Sequence, residues 1–167
     1  RRGAAGAPGG RGGPTTHPCG ICENCKSIAA GRNIDVLELD AASRTGVDDI
    51  RDILDGVRYK PTNCRYKIYI IDEVHMLSKS AFNALLKTLE EPPAHVKFIF
   101  ATTEIRKVPV TVLSRCQRFD LQRLSIEDLL KLFNKIIAAE DLKADDEALH
   151  MIATAADGSA PDGPSLV

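Results

Sequence analysis

Residues Ile68, Tyr69, Ile70 and Ile71 are consecutive β-branched or aromatic side chains, and the two residues that follow are Asp72 and Glu73. A continuous apolar run of this kind, rather than an alternating one, predicts a parallel strand covered by helices on both faces. Its abrupt end in two adjacent carboxylates is how a nucleotide-binding α/β domain presents a metal and a water, the pattern of a Walker B strand. Asp72 would hold Mg²⁺, usually through water, and Glu73 would polarise the water that attacks a γ-phosphate. The same two carboxylates can instead cap a following helix, so the reading depends on the rest of the chain.

A second buried strand, Val96 to Thr103, ends in two hydroxyls. Ligands of an open parallel sheet lie at the carboxyl ends of its strands, so Thr103 and Asp72 are expected in one crevice, with Thr103 holding a water against phosphate or capping a helix. Between them, Ala81, Leu85, Leu86 and Leu89 fall on one face of a helix that starts at Ser78 and is stopped by Pro92 and Pro93. Upstream, Asp35 to Asp40 alternates as a strand, and Ile50, Ile53, Leu54 and Val57 stripe a helix over Thr45 to Tyr59. Downstream, the pattern predicts a short helix over Val108 to Leu113, a short strand over Arg118 to Leu121, and helices from Ser125 to Ala139 and from Asp145 to Ala156. The expected organisation is a disordered segment at 1–18, an α/β nucleotide-binding domain at 19–121, and the start of a helical lid domain at 122–167.

Composition narrows the function classes. Residues 1–18 are dominated by Gly, Pro, Ala and Arg with no large apolar side chain, which predicts disorder. Their glycines do not make a phosphate cradle, because no apolar strand precedes them and no Lys-Ser or Lys-Thr follows. A net charge of -1 excludes a wholly basic nucleic-acid binder, so any DNA contact must be local. No apolar run approaches the roughly 18 residues of a membrane span, and the first residues lack the apolar core of a signal peptide; the expected location is the cytoplasm. The first residue is not Met, and the sequence reads as a fragment of something longer.

Cys19, Cys22 and Cys25 form a C-x-x-C-x-x-C cluster. Two-residue spacers let thiolates converge on one ion, so zinc is favoured over a disulfide, with an iron–sulfur cluster as the minority reading. The fourth ligand is open: His17, the distant Cys64, or a residue upstream. Arg44 and Arg51 lie near the start of the first long helix, among Asp48, Asp49 and Asp52; the residues alone favour a solvated, salt-bridged surface over phosphate contact.

Five stretches in this order, C-G-I-C-E-N-C from Cys19, D-A-A-S-R-T-G-V-D-D-I-R from Asp40, I-D-E-V-H-M-L-S from Ile71, F-N-A-L-L-K-T-L-E-E-P-P from Phe82 and L-S-R-C from Leu113, closely resemble the gamma/tau subunit of bacterial DNA polymerase III, the AAA+ ATPase of the sliding-clamp loader. The resemblance runs from Pro18 to about Ser159. The delta-prime subunit shares the cysteines, the L-L-K-T-L-E-E-P-P helix and S-R-C but lacks D-E-V-H. The resemblance implies an AAA+ P-loop-type sheet, ATP, Mg²⁺ and Zn²⁺ as cofactors, and partnership with delta, delta-prime and further gamma/tau copies, with the sliding clamp and with primed DNA. It implies that Asp72 and Glu73 are the Walker B pair, Thr103 the γ-phosphate sensor, and Arg115 an arginine finger reaching the ATP of a neighbouring subunit. Cys19, Cys22 and Cys25 resemble three of four zinc ligands, and Arg44 and Arg51 become candidates to face DNA.

The departures from the family pattern are specific. The family begins with a strand, a Walker A loop and a helix, and supplies a first cysteine where this chain has Gly10; a lid arginine is replaced by Pro161. The resemblance places the missing strand between the strand near Phe119 and the one ending at Thr103. The expectation is therefore a truncated or frame-shifted product that does not hydrolyse ATP alone. Three other readings compete: an inactive, delta-prime-like subunit contributing only an arginine finger, a helicase, and a non-catalytic zinc module binding nucleic acid. A helicase is disfavoured because A-T-T and S-R-C stand where its motifs would differ, and the zinc module because aromatic content is 5%.

Overall fold

The computed structural model describes residues 15–43, 46–139 and 145–156. Most of the segment expected to be disordered, and Arg44, lie outside the described residues; residues 15–18 are exposed and belong to no helix or strand.

Three strands form a parallel sheet in the order β1 (Val36–Asp40), β2 (Lys67–Asp72), β3 (Val96–Phe100). In register, Asp40 lies opposite Asp72 and Ile71 opposite Phe100, so the polar tips of the strands share one edge. The central strand explains its own sequence. Ile68 and Ile70 pack with Ile28 of α1 (Glu23–Ala29) on one face. Ile71 joins Leu39, Ile50, Ala81, Phe82 and Leu85 on the other, where α2 (Val47–Val57) and α3 (Lys79–Glu90) cover the sheet. Tyr69 packs with Val57 and Val96 and stacks on Phe98 at a centroid distance of 5.4 Å. Both faces of β2 are thus dry, which is why its apolar residues do not alternate.

The helix ends follow local chemistry. The Ser78 hydroxyl accepts from the Ala81 N–H and starts α3, and the chain leaves it at Glu91 before the two prolines. Pro109 opens α4 (Val110–Leu113), whose Val112 is buried in the main core.

The chain divides into two compact units after Gln117. In the second, α5 (Ile126–Ala139) and α6 (Asp146–Ala155) bury Leu129 and Phe133 against Leu149, Ala153 and Ala156. Ser125 caps α5 reciprocally with Asp128: the Asp128 N–H donates to the Ser125 hydroxyl at 3.1 Å, and that hydroxyl donates to the Asp128 carboxylate at 2.8 Å.

Two expectations are corrected. The strand over Arg118 to Leu121 does not form: these residues are irregular, and Phe119 and Leu121 are 74% and 93% exposed. Its apolar alternation is real, but a strand exists only through a ladder partner, and none pairs with it among the described residues. The second correction is to β3, which ends at Phe100 rather than Thr103, because after Ala101 the chain turns to bond the loop that follows β2.

Candidate functional site

At the carboxyl edge of the sheet the backbone itself aims the second carboxylate. Glu73 has φ 48° and ψ 44°, and it is the one non-glycine residue with positive φ among the described residues. A left-handed residue with a Cβ costs roughly 1–2 kcal/mol, so the surroundings must hold it. The Val74 N–H donates to the Ala101 carbonyl at 3.0 Å, and the Met76 N–H donates to the Glu73 carbonyl at 2.8 Å, closing a 3-10 turn over Val74–Met76. Thr103 donates its hydroxyl to Glu73 Oε2 at 3.1 Å, and His75 Nδ1 lies 3.3 Å from the same oxygen. His75 is itself nearly buried, with Nδ1 2.8 Å from the Thr102 hydroxyl and Nε2 3.9 Å from Glu104. Glu104 has its carboxyl held below the usual range, first by its hydrogen bond from Lys107.

Asp72 is exposed, and its Oδ1 accepts from the Glu73 N–H at 2.9 Å. The other oxygen has no partner among the described residues, which leaves it able to face a hydrated cation. The helix-cap alternative fails here: neither Asp72 nor Glu73 makes a side-chain cap, and the cap of α3 is Ser78. The structure thus brings Asp72, Glu73 and Thr103 together, and it adds His75, Thr102 and Glu104, which sequence reasoning did not single out. The signal was present in D-E-V-H and A-T-T-E, where polar residues continue past the strand tips.

The cysteines also converge. The Sγ atoms of Cys19, Cys22 and Cys25 lie within 4.8 Å of one another, with Cys19 and Cys25 3.8 Å apart. The turn is built from N–H···S bonds: the Cys22 N–H donates to Cys19 Sγ and the Cys25 N–H to Cys22 Sγ, each at 3.4 Å. Backbone donors from Cys22 and Ile21 lower the Cys19 thiol to about 7, because they favour its thiolate. The Cys25 N–H favours the Cys22 thiolate as well, but the adjacent Cys19 thiol and burial outweigh it and push Cys22 up. Three sulfurs converging at this spacing fit a metal ion. Neither proposed fourth ligand joins it: His17 Nδ1 pairs with the Thr16 hydroxyl, and Cys64 Sγ pairs with Asn33 Oδ1.

Comparison with known proteins gives the family. A family profile described as DNA polymerase III, delta subunit, matches residues 11–125, and one described as DNA polymerase III clamp loader subunit, ATPase lid domain, matches residues 129–167. The chain belongs to the DNA polymerase III clamp-loader family. It is 54% identical over 92% of its length to the DNA polymerase III subunit tau of Salmonella typhimurium, covering 24% of that protein. The tau subunit of Bacillus subtilis is also 54% identical over 92% of the chain, which covers 27% of it. The gamma subunit from a Buchnera aphidicola of Acyrthosiphon pisum is 49% identical over 93% of the chain, which covers 43% of it. The chain therefore spans between about a quarter and under half of these relatives. Among solved structures, a DNA polymerase III gamma subunit-related protein of Thermotoga maritima matches with TM-score 0.53 and 29% identity over 73% of this chain and 42% of that one. The RuvB Holliday junction branch migration motor of the same organism matches with TM-score 0.62 and 18% identity over 84% and 46% of the two chains, which shows the shared AAA+ fold alone.

In this clamp-loader chain Arg115 stands apart from the strand tips. Its guanidinium donates to the Thr111 carbonyl at 2.6 Å and to Glu90, at the end of α3, at 3.2 Å, while staying about one-third exposed. Arg51 pairs with Asp48 at 3.3 Å on an open helix face. No helix among the described residues is long and apolar enough to cross a membrane.

Proposed function

We propose that this chain is part of the ATP-driven loader that places the sliding clamp on primed DNA, working in the cytoplasm with delta, delta-prime and further gamma/tau copies. The observation that carries the reading is the Thr103 hydroxyl on the Glu73 carboxylate beside the half-free Asp72, in a chain of this family. Asp72 would hold Mg²⁺ and Glu73 would orient the attacking water, with Thr103 registering the γ-phosphate. Mg²⁺ would supply charge neutralisation on the phosphate oxygens. In the resting arrangement Thr103 and His75 hold Glu73 back against the sheet edge. A bound γ-phosphate would compete for the Thr103 hydroxyl and free the carboxylate to take its water.

The phosphate cradle is not part of this reading, since no G-x-x-x-x-G-K-[ST] occurs in the chain, and the chain by itself is proposed not to hydrolyse ATP. Arg115 is proposed to act in trans on a neighbour's ATP, and Arg44 and Arg51 to face DNA. The cysteine knuckle is proposed to hold zinc as a structural ion.

The test is ATP turnover of the full-length protein assembled with its partners, clamp and primed DNA. Glu73→Gln is expected to keep Mg²⁺–ATP binding and lose turnover by about a hundredfold or more; unchanged turnover overturns the reading. A second reading, a non-hydrolysing subunit that lends only Arg115, is favoured by the delta-subunit profile over residues 11–125. It predicts that Glu73→Gln does nothing while Arg115→Ala abolishes turnover at the neighbouring site.

A further inference from the structure

The geometry points to Glu90 as a positioning residue: its carboxylate fixes the Arg115 guanidinium in the orientation from which it reaches a neighbour's phosphate. The inference rests on the reading of Arg115 as a group acting in trans and deepens it.

A solvated arginine side chain is long and rotamer-rich, so its fork samples many directions. Here both backbone and fork are tied. The Arg115 N–H donates to the Val112 carbonyl at 3.0 Å and the Cys116 N–H to the Leu113 carbonyl at 3.1 Å, which fixes the chain to the turn that ends α4. Nη1 donates to the Thr111 carbonyl at 2.6 Å and to the Ser114 hydroxyl at 3.4 Å, and both anchors belong to that same turn. Glu90 is the one anchor from another helix among the described residues: Nη2 donates to its Oε1 at 3.2 Å. Bonds to a single turn leave the fork a hinge, and the bond from α3 removes it. The fork is still not used up. Of its five N–H donors, the Nε hydrogen and the second Nη2 hydrogen have no partner among the described residues.

Glu90 is otherwise badly placed. It is the last residue of α3, and Glu91 follows it. Negative charge at a helix C-terminus meets the unpaired carbonyls and the negative end of the macrodipole, where lysine or arginine is the stabilising choice. The carboxylate works against its own helix, and Arg115 is the group that makes use of it.

The experiment assembles the full-length protein with its partners, clamp and primed DNA. It measures ATP turnover together with retention of ADP–aluminium fluoride, a stand-in for the transferring phosphoryl group. Arg115→Ala is expected to lower kcat about a thousandfold or more. Glu90→Ala is expected to lower kcat about tenfold with KM little changed, and to weaken ADP–aluminium fluoride retention about as much. Glu90→Gln, whose amide oxygen still accepts from Nη2, should recover most of both. In the Arg115→Ala background, Glu90→Ala is expected to add nothing. Turnover unchanged or raised by Glu90→Ala, a Glu90→Gln variant as impaired as Glu90→Ala, or an additive loss in the double variant overturns the positioning role and leaves the arginine finger standing. Full turnover by Arg115→Ala overturns the trans reading itself, and this inference with it.

Discussion

At the amino end of the sheet Asp35 has no exposed surface, and its carboxylate accepts backbone N–H groups from Thr62, Asn63 and Cys64 at 2.8, 2.6 and 2.8 Å. At the carboxyl end, one β-ladder away, Asp72 is exposed, and one of its oxygens accepts a single backbone N–H while the other has no partner among the described residues. Both are aspartates beside strands of the same sheet. The first has spent its lone pairs on the fold, so it is worth stability and nothing else. The second retains them, at the edge where an open parallel sheet meets its ligands. The accounting of acceptor sites, rather than the residue type, separates a structural carboxylate from a candidate functional one.

That contrast can be broken by measurement, beginning with its largest expected effect. Glu73→Gln in the assembled full-length protein should cut ATP turnover by about a hundredfold or more and move Tm by only a few degrees; a large loss of stability would make the carboxyl end structural as well. Asp35→Ala should do the reverse, destabilising by about 3 kcal/mol because three buried N–H groups lose their acceptor. Thermal unfolding would read this as a Tm lower by roughly 10 °C or more. A smaller effect concerns Cys64, whose thiol is pushed up to about 11 by burial and by the nearby Asp35 carboxylate. Because the folded state favours the neutral thiol, this contribution is intact below the ordinary value of 9.0 and is lost as pH rises through about 11. Unfolding followed across that alkaline window should steepen, and Cys64→Ala should flatten the slope; identical slopes would dissociate Cys64 from the Asp35 cluster. The smallest effect belongs to an exposed pair: Glu90→Gln removes the ionic partner of Arg115 and should change stability by about 1 kcal/mol or less.

Much of this was legible in the chain. The unbroken apolar run at Ile68–Ile71 announced a strand with two covered faces, and the Ser78 cap and paired prolines bounded α3. That Thr103 would lie in the crevice of Asp72 followed from the adjacent parallel strands; that its hydroxyl bonds the next carboxylate, Glu73, did not. The unseen parts share one cause, dependence on long-range partners. Asp35 reads as the polar first residue of an alternating strand, and only the return of residues 62–64 buries it. His75 reads as part of a polar loop until Thr102 and Glu104 arrive from the next strand's end. The failed strand at Arg118–Leu121 is the converse case, a pattern with the right local chemistry and no ladder to join.

The way Asp35 is satisfied also sets which sequences this loop can tolerate. Its donors are main-chain amides, which every residue except proline carries, so the bond to Asp35 is blind to the side chains at positions 62, 63 and 64. What constrains the side chain at position 64 is its packing beside Ile28, Ile68 and Ile70, not Asp35; the substitution that the bond to Asp35 itself forbids at all three positions is proline, the residue already present one step earlier at Pro61.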